Sequence, residues 1–332
     1  MLAQYPRVVT TLITGGAGYI GAHVTRLLQS TGEDVVVVDD LSSGSTQRLA
    51  DGTPLEQIDL AGPSAQDALA AVMSDYAVSA VIHFAARKKV AESVERPTWY
   101  YQQNVGGMAA LLSAMERVKV DRLVFSSSAA VYGESTAGGL TEDASTRPAN
   151  PYGETKLVCE WMGRAASAAW GLRFVALRYF NVAGAGWSDL ADPGAANLIP
   201  LVLDSVRAGR PPTVFGADYP TSDGTCVRDY VHVMDLADAH LAALAHLDER
   251  AREHDIFNVG TGRGNSVLEV VAEVAQVVGH HVEPVFASRR AGDPAEVVAI
   301  PLRANAELNW AASRSLHEIV ASAWGARAST TR

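Results

Sequence analysis

The sequence has little cysteine, no excess of positive charge and no long apolar run. Its two cysteines, Cys159 and Cys226, form neither a CxxC motif nor a disulfide framework, which favours a reduced, cytoplasmic setting. No apolar stretch approaches the ~18 residues that a membrane-spanning helix needs, and the N-terminal segment lacks a charged leader with a cleavage site. We therefore expect a cytoplasmic protein that does not act in the membrane.

The charge balance narrows the range of partners. A net charge of −10 argues against nucleic acid, because binding a phosphate backbone needs a basic face. It leaves an anionic metabolite open, since local Arg or Lys and helix N-termini bind such ligands inside acidic proteins. Only His280 and His281 are adjacent among nine histidines. Neighbours on a regular element do not both face one metal ion, so we predict no metal site.

The first half of the 332-residue chain alternates short β-branched runs with longer helical patterns. This alternation predicts βαβ units and an α/β fold with a doubly wound parallel Rossmann sheet, whose ligands lie at the carboxyl ends of the strands. The predicted strands are 7–14, 34–39, 79–84, 121–127 and 172–178, and the predicted helices lie near 19–31, 64–75, 98–117 and 152–170.

The pattern changes after Arg178, where Gly, Ala, Asp and Pro become frequent. Two helices are predicted there, at 235–247 and 266–278, and Ser266 with Glu269 three residues later resembles a capping box. We predict a Rossmann domain over 1–178 with a return segment at about 229–260. A smaller C-terminal α/β substrate domain is predicted over 179–332.

A glycine-rich turn, TGGAGYIG, follows the first predicted strand and precedes the first helix. Gly15, Gly18 and Gly21 let the backbone approach a pyrophosphate, whose charge is favourable at a helix N-terminus. Asp39 ends the second strand, where a carboxylate accepts hydrogen bonds from adenosine ribose hydroxyls and repels a 2′-phosphate. Together these features predict an NAD site, although Asp39 could instead only begin a turn.

The segment PYGETK places Tyr152 and Lys156 four residues apart, and so on one face of a predicted helix. An ammonium beside a phenol lowers a pKa that starts near ~10, which would make a base near neutral pH. The alternative is an ordinary surface helix start with Pro151 at its first position. Taken alone, the motif leaves both interpretations open.

Larger segments carry a family resemblance. SSSAAVYG, NPYGETK, LRYFNVAGA, FNVGTGRGNSVLEVV and RRAGDPAEVVA, with the glycine turn, are similar to segments of the UDP-glucose 4-epimerases (UDP-galactose 4-epimerases), within the extended short-chain dehydrogenase/reductase superfamily. The likeness runs from about residue 10 to residue 300. It implies a bound NAD, a UDP-hexose substrate and transient oxidation at carbon 4, with the keto sugar turning over before hydride returns to its opposite face.

The resemblance also implies roles for individual residues. Tyr152 would be the catalytic base, Lys156 its partner and a ligand of the nicotinamide ribose, and Ser128 a donor to the reacting sugar hydroxyl. The cofactor-binding set would comprise Gly15, Gly18, Tyr19, Ile20, Gly21, Asp39, Asp40, Leu41, Ser42, Ser43, Gly44, Asp59, Leu60, Phe84, Ala85, Ala86, Lys88, Gln103, Ser128, Tyr152, Lys156 and Phe180. The substrate-binding set would comprise Lys88, Ser128, Tyr152, Asn181, Asn197, Leu198, Thr213, Val214, Phe215, Arg228, Arg290, Asp293 and Val297.

Two positions and three alternatives qualify this expectation. Gln103 stands where the family usually has Asn and adds a methylene to that implied cofactor contact, and Val297 leaves space beside the sugar that a Tyr would fill. The substrate pair could be UDP-N-acetylglucosamine and UDP-N-acetylgalactosamine. A nucleotide-sugar dehydratase is disfavoured because it needs an acid and a base beside the active-site serine, and here Ala129 and Ala130 follow Ser128. A non-catalytic NAD sensor would have no need for Ser128, Tyr152 and Lys156 together.

The resemblance suggests a homodimer formed through helices 98–117 and 152–170.

Overall fold

A computed structural model describes residues 10–133, 138–193, 197–249, 254–290 and 293–329. Its strands are β1 (Thr10–Thr14), β2 (Asp34–Asp39), β3 (Leu55–Gln57), β4 (Val78–His83), β5 (Arg122–Ser126), β6 (Arg173–Tyr179), β7 (Asn181–Ala183), β8 (Thr213–Phe215), β9 (Val227–His232), β10 (His254–Val259), β11 (Gly264–Ser266), β12 (Val285–Ala287) and β13 (Glu296–Val297). Its α-helices are α1 (Tyr19–Ser30), α2 (Ala65–Asp75), α3 (Val90–Glu95), α4 (Pro97–Tyr100), α5 (Gly106–Val118), α6 (Pro151–Trp170), α7 (Leu198–Arg207), α8 (Val233–Glu249), α9 (Val267–Val278), α10 (Leu302–Glu307) and α11 (Leu316–Ser329).

The main sheet has seven strands in the order β10-β6-β5-β4-β1-β2-β3. Parallel pairing links β3, β2, β1, β4 and β5 in succession. The strand order reverses between β1 and β4, which is the topological switch point of a doubly wound sheet. The predicted α/β fold with a doubly wound sheet is therefore confirmed, and the carboxyl end of β1 is its expected ligand position.

The central strands form because their residues are apolar on both faces. All five residues of β1 are buried, as are the four valines of β2. Helices cover both faces of such a sheet, so a continuous β-branched run is stable there and would be unfavourable in a half-solvated strand. Strand 34–39 was predicted with its observed bounds, and the other predicted strands agree within two residues where the structure describes them. Residues 7–9 of the first predicted strand lie outside the described ranges.

The predicted helix at 98–117 is helical along its whole length but is not α-helical throughout. Helix α4 passes into a π-helical turn over Tyr101–Val105 before α5 begins at Gly106. The wider turn presents the side chain of Asn104, whose Nδ2 donates to the backbone oxygen of Arg87 at 3.0 Å and to Thr155 Oγ1 at 3.0 Å. Turns of this kind frequently occur at functional sites.

The later part of the chain contains a second, four-stranded sheet built around β9. Strands β7 and β13 pair with β9 in parallel and β11 pairs with it antiparallel, while β8 and β12 form a separate parallel pair. The predicted capping box at the start of α9 is confirmed, because Ser266 Oγ accepts the Glu269 N–H at 3.0 Å and Glu269 Oε2 accepts the Ser266 N–H at 2.7 Å.

The chain forms two compact units. The first consists of the described residues of Met1–Ser126, Thr155–Ala176 and His240–Asp255, and the second those of Ser127–Glu154, Leu177–Ala239 and Ile256–Arg332. The first unit contains β1 to β5 and the helices between them. In the second, apolar faces of α7, α9 and α11 form a buried cluster that includes Ile199, Leu203, Val270, Val274 and Val320.

Candidate cofactor and substrate sites

The glycine turn lies directly after β1, at the switch point. Gly15 has φ +73°, and a Cβ added there would lie 2.7 Å from the backbone nitrogen of Ala85. A side chain at Gly21 would collide with the carbonyl oxygen of Gly15. Gly18 is the N-cap of α1, so no side-chain capping bond occupies the N-terminus of this helix. Side chains are thus kept out of the turn, and its backbone can take up a pyrophosphate at the helix N-terminus.

Asp39 is held at the end of β2 beside this turn. Its Oδ2 accepts the Ala17 N–H at 3.0 Å and its Oδ1 accepts the Leu41 N–H at 2.8 Å. Burial raises the pKa of this carboxyl, and the two backbone donors partly oppose that effect. Each carboxylate oxygen retains acceptor capacity. The carboxylate is therefore fixed in orientation and suited to accept ribose hydroxyls, as predicted for NAD.

Arg87, which the sequence analysis did not select, connects several members of the predicted cofactor set. Its Nη2 donates to Asp40 Oδ2 at 2.6 Å, its Nη1 donates to Ser42 Oγ, and Nε and Nη2 both donate to Gln103 Oε1 at 3.0 and 2.8 Å. The Gln103 amide oxygen is thus engaged by Arg87, which gives this departure from the family pattern a structural role. The doubled acid, Asp39 followed by Asp40, was the sequence signal for a cationic partner.

Several other predicted cofactor residues occupy the loops after the strands of the first unit. Asp59 Oδ1 accepts the Ala61 N–H at 3.0 Å, and Leu60 beside it is buried. The Phe84 ring stacks obliquely on His240, with ring centroids 4.6 Å apart. Lys88 is exposed. Of the predicted set, Ser128, Tyr152 and Phe180 belong to the second unit and the rest to the first.

Lys156 is a buried cation on α6. Its Nζ donates to the backbone oxygen of Ser126 at 2.7 Å and lies 5.0 Å from the centroid of the Phe125 ring. Burial lowers the pKa of this lysine to about 8, while Cys159 and Glu160 act in the opposite direction. A surface helix start would leave the ammonium in water. The buried position therefore favours the functional interpretation of Tyr152 and Lys156.

Tyr152 is buried in the first turn of α6, where Asn150 Oδ1 accepts the Gly153 N–H at 3.0 Å. Gly153 allows close packing, because a Cβ there would lie 2.5 Å from the backbone oxygen of Ala130. Ala130 belongs to the 3₁₀ turn Ala129–Val131, and its N–H donates to Ser128 Oγ at 3.2 Å. The contact between this turn and the helix start places the segments of Ser128 and Tyr152 side by side.

The ten predicted substrate residues from Asn181 onward all belong to the second unit. The Arg290 guanidinium lies 4.0 Å from the centroid of the Phe215 ring, at the end of β8. Arg228 Nη2 lies 3.9 Å from Asp293 Oδ1, and β9 pairs Arg228 with Val297 of β13. Asn197 is the N-cap of α7, which begins at the predicted Leu198, while Asn181 begins β7 and Thr213, Val214 and Phe215 form β8.

No group of three or more His, Cys, Asp or Glu side chains is arranged to hold a metal ion in the described part of the chain. None of the helices described above combines the length and the apolar character needed to cross a membrane.

A doubly wound sheet with a glycine turn, an acid after its second strand and a Tyr–Lys helix defines an NAD-binding protein of the short-chain dehydrogenase/reductase type. Residues 11–260 match the model of the NAD dependent epimerase/dehydratase family, and the chain belongs to that family. The chain is 47% identical to the UDP-glucose 4-epimerase of Azospirillum brasilense over 93% of this chain and 88% of the relative.

Two further comparisons agree with this assignment. The UDP-glucose 4-epimerase of Corynebacterium glutamicum is 43% identical over 94% of each chain. The crystal structure of a UDP-glucose 4-epimerase from Stenotrophomonas maltophila, with bound NAD and formylated UDP-arabinopyranose, matches with a TM-score of 0.91 and 40% identity, covering 97% of this chain and 99% of that one.

Proposed function

We propose that the protein is an NAD-dependent epimerase that interconverts UDP-glucose and UDP-galactose by transient oxidation at carbon 4 of the hexose. The observation that carries the proposal is the buried Lys156, anchored to Ser126 one helical turn after Tyr152. The named relatives are UDP-glucose 4-epimerases and align with nearly the whole chain. We also retain the predicted division of labour, with NAD in the domain over 1–178 and the nucleotide sugar in that over 179–332.

The residues present fit NAD. Gly15, Gly18 and Gly21 would receive the pyrophosphate, because side chains at these positions would fill the turn or crowd its backbone. Asp39 would accept the ribose hydroxyls of the adenosine, and Lys156 would bind the nicotinamide ribose. When bound, NAD supplies a reversible hydride acceptor for carbon 4, so the reaction consumes no external oxidant.

Tyr152 would act as the general base and acid at the sugar oxygen. Its phenolic oxygen takes the proton of the 4-hydroxyl as carbon 4 is oxidised and returns it when the keto sugar is reduced. The ammonium of Lys156 favours the phenolate by its charge. Ser128 Oγ accepts the Ala130 N–H, so its own proton is available to the reacting sugar oxygen.

The nucleotide would provide most of the substrate's binding energy. Arg228 and Arg290 carry forked N–H donors suited to a diphosphate, Phe215 offers an apolar face to uracil, and Asn181 is a polar neighbour. Strong contacts to UDP and weak contacts to the hexose allow the keto sugar to turn over between the two hydride transfers.

Other activities on the same fold are less well supported. A dehydratase needs an acid and a base beside Ser128 to expel water, and the turn that follows it contains Ala129 and Ala130. An NAD sensor has no use for Ser128, Tyr152 and a buried Lys156 together, and steady turnover of a nucleotide sugar would exclude that class.

The direct test is incubation with UDP-galactose and no added cofactor. We expect NMR to show conversion to UDP-glucose with an equilibrium mixture at the end, because the bound cofactor is regenerated in each cycle. UDP-glucuronate tests whether a carboxyl group at carbon 6 is accepted. Activity that depends on added NADP would contradict the proposal.

Substrate breadth should depend on Val297, which is half-buried and paired in register with Arg228. Valine leaves room for an N-acetyl group at carbon 2, so we expect measurable activity on UDP-N-acetylglucosamine as well. Val297→Tyr should suppress this second activity about 10-fold or more, because overfilling a pocket costs ~1–3 kcal/mol. The UDP-galactose rate of the same variant is the internal control. Equal loss of both rates would show that Val297 only packs.

We also propose a homodimer and a cytoplasmic location. Trp161 on α6 is 51% exposed and Tyr101, before α5, is 37% exposed, so these helices offer aromatic surface to a second copy. A monomeric mass by light scattering would refute the dimer. Both cysteines are free and buried, which fits a reducing compartment, and fractionation of the producing cells tests that location.

A further inference from the structure

The four side-chain hydrogen bonds of Arg87 join segments that lie far apart in the chain. Arg87 follows the end of β4, its acceptors Asp40 and Ser42 follow the end of β2, and Gln103 lies in the π turn after α4. All of these segments belong to the first unit. A single guanidinium therefore ties three loops together.

The strand order shows which strand lies between the loops that Arg87 joins. Strand β1 lies between β4 and β2, and all three strands are parallel, so their carboxyl ends share one edge of the sheet. Neighbouring strands are ~4.8 Å apart, so a link from β4 to β2 must span roughly 10 Å. It passes the end of β1, where the glycine turn begins. The arginine side chain, the Asp40 side chain and the hydrogen bond between them together cover this distance.

Arg87 is held in place at its backbone as well as at its guanidinium. Its N–H donates to Asn104 Oδ1 at 2.7 Å, and Asn104 Nδ2 donates back to its carbonyl oxygen at 3.0 Å. Asn104 is buried and also bonds Thr155 Oγ1. The Arg87 side chain is 22% exposed and that of Asp40 is 27% exposed. Such a pair is partly shielded from water and from salt, unlike an ordinary surface ion pair.

We propose that Arg87 retains the dinucleotide: its bridge to Asp40, Ser42 and Gln103 closes the edge of the glycine turn and must open before NAD leaves. The proposal rests on the proposed function, since it assumes that NAD binds at this turn. An epimerase returns its hydride in every cycle and gains nothing from releasing the cofactor. The charge-assisted hydrogen bonds of the bridge add to the free-energy barrier that the cofactor must cross to leave, so loss of the bridge should appear in the dissociation rate.

The experiment measures cofactor release and does not depend on turnover. Purified protein is passed through a desalting column, released NAD is destroyed by an added NAD glycohydrolase, and the NAD still bound is quantified over time after acid denaturation. The variants are Arg87→Met, Arg87→Lys and the control Arg117→Met. Arg117 lies in the last turn of α5 and forms an exposed ion pair with Asp67 in the same unit, with no hydrogen bond to the three loops that Arg87 joins.

We expect about one NAD per chain in the parent protein and in Arg117→Met, with the same slow release. Arg87→Met should release NAD on the order of tenfold faster, since truncating one partner of a charge pair mainly changes the dissociation rate. Arg87→Lys should lie between the two, because one ammonium does not bridge three acceptors.

The outcomes separate the two hypotheses. A parent that binds no NAD would overturn the proposed function and this inference together. A parent that retains NAD while Arg87→Met releases it equally slowly would overturn the inference alone. The melting temperatures of the NAD-free proteins exclude a general loss of stability: faster release at an unchanged melting temperature supports the bridge, and faster release that tracks a lower melting temperature contradicts it.

Discussion

Replacing Tyr152 by phenylalanine is expected to lower the turnover of UDP-galactose by about 10²–10⁴-fold, the usual contribution of general base catalysis. The change removes only the phenolic oxygen from a side chain that is buried in the first turn of α6. Binding of NAD and of UDP should be nearly unchanged, because neither depends on proton transfer. Single-turnover kinetics, calorimetric titration with UDP and the NAD content of the purified variant measure the three quantities.

Tyr76 provides the matched control for this substitution. Its hydroxyl donates to Glu56 Oε1 at 3.0 Å, a hydrogen bond in the first unit that no proposed role involves. Tyr76→Phe should therefore keep the parent's turnover within a factor of about two. If Tyr152→Phe retained most of its rate, Tyr152 would not be the base and the assignment of Lys156 as its partner would fail with it.

Lys156→Met is expected to abolish turnover and yet stabilise the protein when no ligand is bound. Burial lowers the pKa of Lys156 from 10.5 to about 8, which corresponds to an unfavourable free energy of about 3 kcal/mol for the charged form in the folded state. Methionine keeps much of the side-chain volume without the charge. We expect the free energy of unfolding at pH 7 to rise by roughly 1–3 kcal/mol, since lost hydrogen bonds offset part of the gain.

The pH dependence gives the sharper test. Below pH 8 Lys156 is charged in both states, so the full penalty of burial is present. Between pH 8 and 10.5 the folded state loses its proton before the unfolded state does, and the stability contributed by this residue rises with pH. The advantage of Lys156→Met should therefore shrink from pH 8 upward. Urea denaturation of both proteins from pH 7 to pH 10 measures this difference in the free energy of unfolding. Lys119→Met, at an exposed lysine, is the control.

A constant difference across this pH range would show that Lys156 is not a buried titrating group in the folded protein. A destabilised Lys156→Met at pH 7 would show that its hydrogen bond to Ser126 outweighs the burial penalty. Both results would contradict the expectation that this lysine is kept for function at the expense of stability.

Local sequence patterns predicted those elements in which neighbouring residues all favour the same secondary structure. The run DVVVVD was predicted as a strand with its observed bounds, because valines on both faces suit a strand covered by helices on both sides. The capping box of α9 was also predicted, since both of its hydrogen bonds join residues three apart. The shorter β3 and the helices α7 and α11 were not predicted. A three-residue strand is too short to show a pattern, Pro200 stands in the first turn of α7, and α11 has no distinct apolar face.

Contacts between distant segments were outside the reach of sequence patterns. The sequence pattern assigned no role to Gly153 of PYGETK. In the structure, its missing side chain lets α6 pack against the backbone at Ala130. In the π turn over Tyr101–Val105, Asn104 is hydrogen-bonded to Arg87 and Thr155, which are 17 and 51 residues away in the chain. No local propensity encodes such distances.

The sequence by itself determined the fold class, the position of the glycine turn after β1 and the spacing of Tyr152 and Lys156 on one helix, because each depends on residues within a few positions of one another. Only the tertiary structure decided that Lys156 is buried against Ser126 and that Arg87 joins Asp40, Ser42 and Gln103 across the end of β1. Burial and long-range pairing depend on which strands become neighbours, and the strand order is set by packing of the whole sheet.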